Sequence, residues 1–368
     1  MTKVRHLLGI SGGKDSAALA IYMKKNYPDL DIEYYTADTG KELDDTYELI
    51  DKLEVFLGKK ITRIAGADKS SELPFDHFLK LYKGYLPSSN ARWCTKKLKI
   101  EPFEKFVGED KVISYVGIRG DEDREGYISR KSNIQSIFPF RKNIWSEEVV
   151  AKFLKNGNMD NVLSLYNEIE VGDKKERLFE ILKTSLSRSF NQNQKLSQLL
   201  NVDTKAFNKA IFTFIKQNDY PLAEESAFPL VENDEILVRA DIFSLLEDTG
   251  VGVPAYYKEV EFEVNDKKST YARSRSGCFF CFYQQKIEWV WLYEQHTELF
   301  KKAMEYEKDG YTWIQDESLG DLIKPERIEQ IKEDYIKRTQ NKNNKKKSPY
   351  LLDILGEAES EGCASCFI

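Results

Sequence analysis

Histidine is scarce in this sequence, and long apolar runs are missing from it. Only three histidines occur among 368 residues, so a site built on several histidines, for catalysis or for zinc, is not expected. No stretch of about 18 consecutive apolar residues is present, and we therefore expect no transmembrane helix. The N-terminal residues lack the charged and apolar regions of a signal peptide, which predicts a cytoplasmic location.

An excess of basic charge is also missing. The chain carries 55 lysines and arginines against 61 aspartates and glutamates, a formal net charge of -6. This balance does not favour non-specific nucleic-acid binding by the whole chain, although it leaves a local basic patch open. Hydrophobic residues make up 41% of the sequence, enough to build the core of one large domain or of two smaller ones.

The cysteines do not suit a disulfide framework. The five of them stand at Cys94, Cys278, Cys281, Cys363 and Cys366. An odd number argues against a set of structural disulfides in a reducing compartment. Four of the five form two C-x-x-C pairs. This spacing points to metal, iron–sulfur or redox chemistry before it points to packing.

Strands alternate with helices in the first third of the chain. Apolar runs predict the strands, and apolar residues three and four apart predict the helices. The strands are predicted at Val4–Ile10, Ile32–Ala37, Lys60–Ile64 and Val112–Ile118, and the helices at Ser16–Lys25 and Asp44–Leu57. This alternation indicates βαβ units and an α/β fold with a doubly wound, mostly parallel sheet.

Composition divides the whole chain into three regions. Residues 1–140 and 228–313 are predicted to form the α/β core, which carries the cysteine site. Residues 141–227 between them are polar and helical in pattern, and we interpret them as a helical insertion that serves packing or the recognition of a macromolecule. Residues 314–368 are predicted to add a C-terminal helix, a flexible basic linker and a cysteine-containing tail. Two more helices are predicted within the core, at Asp241–Thr249 and Gln284–Glu307.

A turn with two adjacent glycines separates the first strand from the first helix. Its residues are Ser11, Gly12, Gly13, Lys14, Asp15 and Ser16. The glycines permit close approach of the backbone to a ligand, and a helix N-terminus presents N–H groups to an anion. Lys14 would neutralise phosphate charge, while Asp15 would cap the helix or help to hold a divalent cation. The order of residues is not the Walker pattern, and a plain strand–helix turn is the alternative interpretation.

The string Ser-Gly-Gly-Lys-Asp-Ser after a first strand resembles the PP-loop of the ATP pyrophosphatase superfamily. The resemblance implies an adenine nucleotide α-hydrolase-like fold and a loop that binds the phosphates of ATP together with Mg²⁺. An Asp-Thr-Gly segment follows the second strand and a Gly-Ile-Arg element follows the fourth, as in the phosphosulfate reductase branch. The nucleotide-binding residues implied are Ser11, Gly12, Gly13, Lys14, Asp15, Ser16, Asp38, Thr39, Gly40 and Arg119.

The segment RWCTKKLKIEPFEKF around Cys94 resembles the cysteine and lysine motif of the same branch. That branch includes the DNA phosphorothioation sulfurtransferase, which carries cysteines in comparable segments. The resemblance implies a [4Fe-4S] cluster on Cys94, Cys278 and Cys281, whose fourth ligand is missing, is a substrate, or is a tail residue, Cys363 or Cys366. Zinc on the same three cysteines and one tail cysteine is the alternative. Cluster-bearing members have two adjacent cysteines in the first motif, and Trp93 stands where one of them would be.

These resemblances imply a sulfurtransferase that adenylates a substrate with ATP and then inserts sulfur through the cysteine site. Lys14, Asp15, Cys94 and Arg119 are the catalytic residues implied. Nucleic acid, in a defence or modification system, is one expected substrate, and a cysteine desulfurase is the expected kind of sulfur donor. The first alternative is a phosphoadenosine-phosphosulfate reductase that makes sulfite with a tail cysteine. The second is a non-catalytic nucleotide-binding subunit.

Overall fold

A five-stranded parallel sheet forms the centre of the fold. The computed structural model describes residues 3–67, 70–122, 129, 131–308 and 310–344. The strands are β1 (Arg5–Gly9), β2 (Ile32–Ala37), β3 (Ile61–Ile64), β4 (Val112–Tyr115) and β5 (Ile134–Ile137), in the order β3-β2-β1-β4-β5. All neighbouring strands are parallel. The predicted α/β class with a mostly parallel sheet is confirmed.

Helices cover both faces of the sheet. Within the described residues the α-helices are α1 (Lys14–Asn26), α2 (Asp44–Leu57), α3 (Pro74–Leu81), α4 (Trp93–Thr95), α5 (Glu101–Val107), α6 (Glu147–Leu154), α7 (Met159–Asn167), α8 (Lys175–Lys183), α9 (Gln192–Lys216), α10 (Arg239–Asp248), α11 (Lys286–Gln295), α12 (Thr297–Glu305), α13 (Leu319–Leu322) and α14 (Pro325–Asn344). The alternation of side chains along β1 divides the core. Leu8 packs in the cluster that contains α1 and α2, while Leu7 packs with Phe103 and Val107 of α5 on the other face.

β5 is absent from the sequence-based expectation, because its four residues, IQSI, include two polar side chains. Both of these side chains are nevertheless buried. The Gln135 side-chain oxygen accepts a hydrogen bond from the backbone N–H of Leu222, at 3.0 Å. A tertiary contact therefore satisfies the oxygen of this buried amide, whereas its nitrogen, Nε2, is buried without a hydrogen-bond partner.

The four helices α6 to α9 occupy most of the segment between β5 and α10. Their apolar faces share one core with the sheet and α1, and Phe153 and Phe207 lie fully buried in that core. Asn191 begins α9 with a capping box to Gln194. A second cap interrupts α9 at Asp203, whose carboxylate accepts from the Ala206 N–H at 2.9 Å. The function of this segment stays a prediction.

The region after α10 differs from the expectation in two respects. A hairpin, β6 (Val260–Val264) and β7 (Lys267–Tyr271), turns at Asn265 and Asp266, which both have positive φ. The single helix expected at Gln284–Glu307 is wrong, because the backbone breaks at His296 (φ -140°, ψ 59°) between α11 and α12. Among the described residues, no helix is long and apolar enough to span a membrane.

Candidate functional site

The carboxyl ends of the central strands β1 and β4 lie where the order of the strands reverses. These strands are adjacent, yet the chain goes from β1 to β2 on one side and from β4 to β5 on the other. Ligands of open α/β sheets bind at such a switch point. The two loops approach closely here, since a Cβ at Gly117 would lie 3.0 Å from the backbone oxygen of Asp15.

The turn between β1 and α1 is ordered by its own serines. Ser16 Oγ donates to the Gly13 carbonyl at 3.1 Å and accepts from the Ser11 N–H at 3.1 Å. Gly12 has φ +71°, in the region that favours glycine. Gly13 stands at the N-cap of α1 and no side chain caps the helix there, so Asp15 is not the cap that was one of its two predicted roles.

Asp15 lies between two cations at the start of α1. Its carboxylate is 3.2 Å from Lys14 Nζ and 2.7 Å from Arg119 Nη1. Arg119 also contacts Glu122 at 2.6 Å and Asp121 at 2.9 Å. Burial lowers the pKa of Lys14 although the Asp15 charge opposes this effect. The structure thus brings together Lys14, Asp15 and Arg119, three of the four predicted catalytic residues.

Two tyrosines that sequence reasoning missed cover this turn. The Tyr256 hydroxyl donates to the Gly12 carbonyl at 2.9 Å, and the Tyr257 hydroxyl accepts from the Lys14 N–H at 3.5 Å. Lys14 Nζ stands 4.7 Å from the centre of the Tyr257 ring. Lys14, Asp15 and Ser16 are all buried in consequence. The only local signal is the adjacent pair of tyrosines after Pro254, a pattern that does not by itself indicate a site.

The Asp-Thr-Gly segment forms a compact turn after β2. The Asp38 carboxylate accepts from the Gly40 N–H at 2.8 Å and from the Tyr47 hydroxyl at 3.1 Å. Thr39 Oγ1 donates to the Glu42 carboxylate at 2.7 Å and lies 3.2 Å from Cys278 Sγ. This turn therefore links the β2 loop to the first C-x-x-C pair.

The cysteine-bearing segments pack beside the same turn. Cys94 lies in α4, which continues through a π-helical turn at Lys96–Ile100 into α5. Such turns are frequent at functional sites. Cys278 lies in the loop after β7, and burial, together with the nearby Glu42 charge, raises the pKa of its thiol well above the usual value. Cys94 and Cys278 both pack against one hydrophobic cluster.

The arrangement does not fit the predicted metal groups. Across the described parts of the chain, no three His, Cys, Asp or Glu side chains come together to hold a metal ion. The Cys278 thiol lies 3.2 Å from Thr39 Oγ1, and the Asp15 carboxylate contacts two cations. Cys363 and Cys366 lie outside the described residues. We therefore derive no step through a cluster, zinc or a protein-bound Mg²⁺.

Comparison with known proteins finds similarity in the first half of the chain. Residues 5–173 match the family model described as phosphoadenosine phosphosulfate reductase domain. An uncharacterised protein of Methanocaldococcus jannaschii is 32% identical over 155 residues, which cover 38% of this chain and 30% of that protein. The tRNA-specific 2-thiouridylase of Actinobacillus succinogenes is 27% identical over 171 residues, 37% of this chain and 42% of that enzyme.

The chain spans less than half the length of these two relatives. Among solved structures, a phosphoadenylyl-sulfate reductase from Candida auris in a phosphate complex matches 42% of this chain and 72% of its own chain. It is 20% identical, with a TM-score of 0.30. The matched family domain ends before Cys278, so the C-x-x-C segment lies beyond it.

Proposed function

Residues 5–173 belong to the PP-loop ATP pyrophosphatase superfamily, in its phosphoadenosine phosphosulfate reductase-like branch, and we propose on this basis that the chain is a nucleotide-dependent sulfur-transfer enzyme. In this proposal, Ser11–Ser16 binds the phosphates of ATP, and a substrate is adenylated before it receives sulfur. One observation carries the proposal. Arg119, from the loop after β4, meets Lys14 and Asp15 at the N-terminus of α1, at the switch point of the sheet.

The charges of this cluster suit the binding of a phosphate chain. The N-terminus of α1 adds its partial positive charge to those of Lys14 and Arg119. Asp15 balances the two cations when no anion is bound and holds Arg119 next to the turn. A triphosphate would take over part of that balancing, so the side chains are already placed where negative charge arrives.

Adenylation requires little covalent chemistry from the protein. An oxygen of the substrate attacks the α-phosphorus of the magnesium complex of ATP, the bond to the α–β bridging oxygen breaks, and pyrophosphate leaves. Lys14 and Arg119 would stabilise the charge that moves onto the leaving group. Orientation and charge stabilisation of this kind provide most of the rate in phosphoryl transfer.

Sulfur insertion is assigned to the cysteine segments, which lie next to the nucleotide turn. A Cβ at Gly13 would fall 2.6 Å from Ser276 Oγ, and Ser276 precedes Cys278 by only two residues. A persulfide on Cys94, supplied by a desulfurase-type donor, would bond its outer sulfur to the activated atom of the substrate as AMP leaves. A second thiol would then attack the sulfur–sulfur bond, releasing the thiolated product and leaving a disulfide for a dithiol reductant.

We propose nucleic acid as the sulfur acceptor. The support is the similarity to a tRNA-specific 2-thiouridylase, whose name describes an enzyme that puts sulfur into tRNA. The proposal includes that the enzyme acts on nucleic acid in a defence or modification system. The contrasting reaction, reduction of phosphoadenosine phosphosulfate to sulfite, is favoured by the description of the matched family domain.

One assay distinguishes the two reactions. The full chain, purified without oxygen, is incubated with Mg²⁺ and either α-labelled ATP or phosphoadenosine phosphosulfate, with tRNA or DNA present or absent. Release of AMP and pyrophosphate only when nucleic acid is present supports the sulfurtransferase. Release of sulfite in the presence of a dithiol reductant supports the reductase. Binding without either product supports a nucleotide-binding subunit.

Two variants tie the result to the site. Lys14→Met should abolish the product, whichever it is, because Lys14 is the cation of the turn. Lys25→Met, at the exposed end of the same helix, should leave it unchanged. If Lys14→Met has normal activity, the reaction does not use this turn and the proposal fails.

A further inference from the structure

Arg273 is a buried cation without a balancing charge. Its side chain is 2% exposed. The backbone N–H of Arg273 donates to the Tyr256 carbonyl at 2.9 Å, and its Nη2 donates to the Cys278 carbonyl at 3.1 Å. The other two guanidinium nitrogens, Nε and Nη1, are buried and have no hydrogen-bond partner.

This situation is energetically unfavourable for an arginine. The guanidinium stays charged at every physiological pH, and a buried charge that lacks a counter-ion costs several kcal/mol. No carboxylate of the described residues lies within salt-bridge distance of Arg273. By contrast, Arg119 contacts three carboxylates. The comparison indicates that Arg273 is arranged for an anion that does not belong to the described protein.

The location of Arg273 points to the nucleotide turn. The centre of the Tyr256 ring lies 5.9 Å from its Cζ atom, while the Tyr256 hydroxyl contacts the carbonyl of Gly12. One side chain thus spans the distance between Arg273 and the turn. The same segment passes over the turn at Ser276, beside Gly13.

We propose that Arg273 binds the oxyanion attached to the α-phosphate of the nucleotide. That group is the β,γ-diphosphate in ATP and the sulfate in phosphoadenosine phosphosulfate; both are tetrahedral oxyanions with several acceptor oxygens. The inference rests on the proposed function and adds a residue from outside the matched family domain. Arg273 would hold the group that leaves, together with Lys14 and Arg119. Its Nε and Nη1 would then gain their missing acceptors.

The test compares nucleotides that have this group with one that lacks it. Equilibrium dissociation constants of the full chain are measured for ATP, phosphoadenosine phosphosulfate and AMP, in wild type, Arg273→Met and Arg273→Lys. Arg273→Met should weaken ATP or the phosphosulfate by about tenfold to a hundredfold, the usual effect of losing hydrogen bonds to a charged group. AMP should change less than about twofold, since it has no oxyanion beyond the α-phosphate. The nucleotide whose affinity falls more in Arg273→Met identifies the source of the oxyanion.

A stability measurement separates this role from a structural one. Replacing a buried, unbalanced charge with an apolar side chain of similar length should leave the melting temperature of the ligand-free protein unchanged or raise it. If Arg273 only supports the fold, the melting temperature falls and all three nucleotides weaken equally, which overturns the proposal. Arg273→Lys keeps the charge and should lose less affinity than Arg273→Met. Arg188→Met, at an exposed arginine between α8 and α9, is the matched control and should bind like wild type.

The outcomes also separate this inference from the proposed function. If wild type binds ATP or the phosphosulfate and Arg273→Met binds them equally well, the role of Arg273 is refuted and the proposed function stands. If wild type binds no nucleotide, the proposed function and the inference fail together.

Discussion

Arg119 Nη1 lies 2.7 Å from the carboxylate of Asp15, and 104 positions of the sequence separate these two residues. The contact joins the loop after β4 to the first turn of α1. It changes the interpretation of Asp15, whose side chain does not cap the helix but holds a guanidinium in place. The Ser11–Ser16 turn and the Gly-Ile-Arg element are therefore one electrostatic unit.

Asp15→Asn should destabilise the ligand-free protein. Removal of the Asp15 charge leaves the buried charge of Lys14 and one contact of Arg119 uncompensated, which costs about 2–4 kcal/mol of unfolding free energy. Urea denaturation monitored by circular dichroism measures the loss. Asp121→Asn is the matched control, because Asp121 contacts the same arginine but its side chain is 39% exposed. That variant should lose less than about 1 kcal/mol. Equal losses in the two variants would contradict this account.

Tyr257→Phe should increase the affinity for ATP. The hydroxyl accepts the Lys14 N–H, a donor that a phosphate oxygen would use, and it must be displaced on binding. Its removal should tighten binding by about twofold to tenfold, the effect of one ordinary hydrogen bond. Isothermal titration calorimetry measures the change. Tyr22→Phe removes another buried hydroxyl from the α1 region and should not alter affinity. Weaker binding by Tyr257→Phe would show that the hydroxyl contacts the nucleotide.

Gly117→Ala should separate the loop after β4 from α1. The new methyl group would lie 3.0 Å from the Asp15 carbonyl, so one of the two backbones must move, at a cost of about 1–3 kcal/mol. Arg119 moves with that loop, and pyrophosphate release should fall as well. Gly157→Ala is the control, since a Cβ there meets no atom within 4 Å. The account fails if Gly117→Ala retains both the stability and the activity of wild type.

Native Cys278 should react slowly with iodoacetamide at mildly alkaline pH. Burial raises the pKa of its thiol well above the usual value, and only the thiolate is alkylated efficiently. Mass spectrometry of the Cys278 peptide should show alkylation at least about tenfold slower in native than in urea-unfolded protein. A raised pKa also means that the folded state loses stability as the pH rises above about 8.5, where the unfolded thiol ionises. Cys278→Ala should remove that part of the pH dependence, and rapid native alkylation would refute the interpretation.

The features that the sequence predicted well depend on neighbours along the chain. The predicted bounds of α2, Asp44–Leu57, agree with the structure, because apolar residues at helical spacing and two acidic residues in its first turn are local signals. The Ser11–Ser16 turn was predicted in the same way, from an apolar run, two glycines and a helical pattern. The hairpin turn at Asn265–Asp266 has a comparable local signal, which the sequence-based prediction did not use.

The break at His296 had no such signal. The residues of α11 and α12 are apolar and polar at spacings that suit one continuous helix, but α11 is buried on nearly all sides while α12 buries a single stripe. Two helices with different surroundings pack in different directions, and the chain bends between them to permit this. Both helices pack against the aromatic cluster around Trp289 and Trp313, whose members come from distant parts of the chain and include Phe75.

By itself, the sequence determined the parallel α/β sheet, the glycine-containing turn at the end of β1 and the helix that follows it, because each depends on residues within a few positions of one another. Only the tertiary structure decided that Arg119 pairs with Asp15, that Tyr256 and Tyr257 cover the turn, and that Arg273 is buried without a counter-ion. The physical reason is that the interaction between two charges, or between a hydroxyl and a carbonyl, depends on their distance in space. The packing of a whole core sets that distance, and no spacing along the chain encodes it.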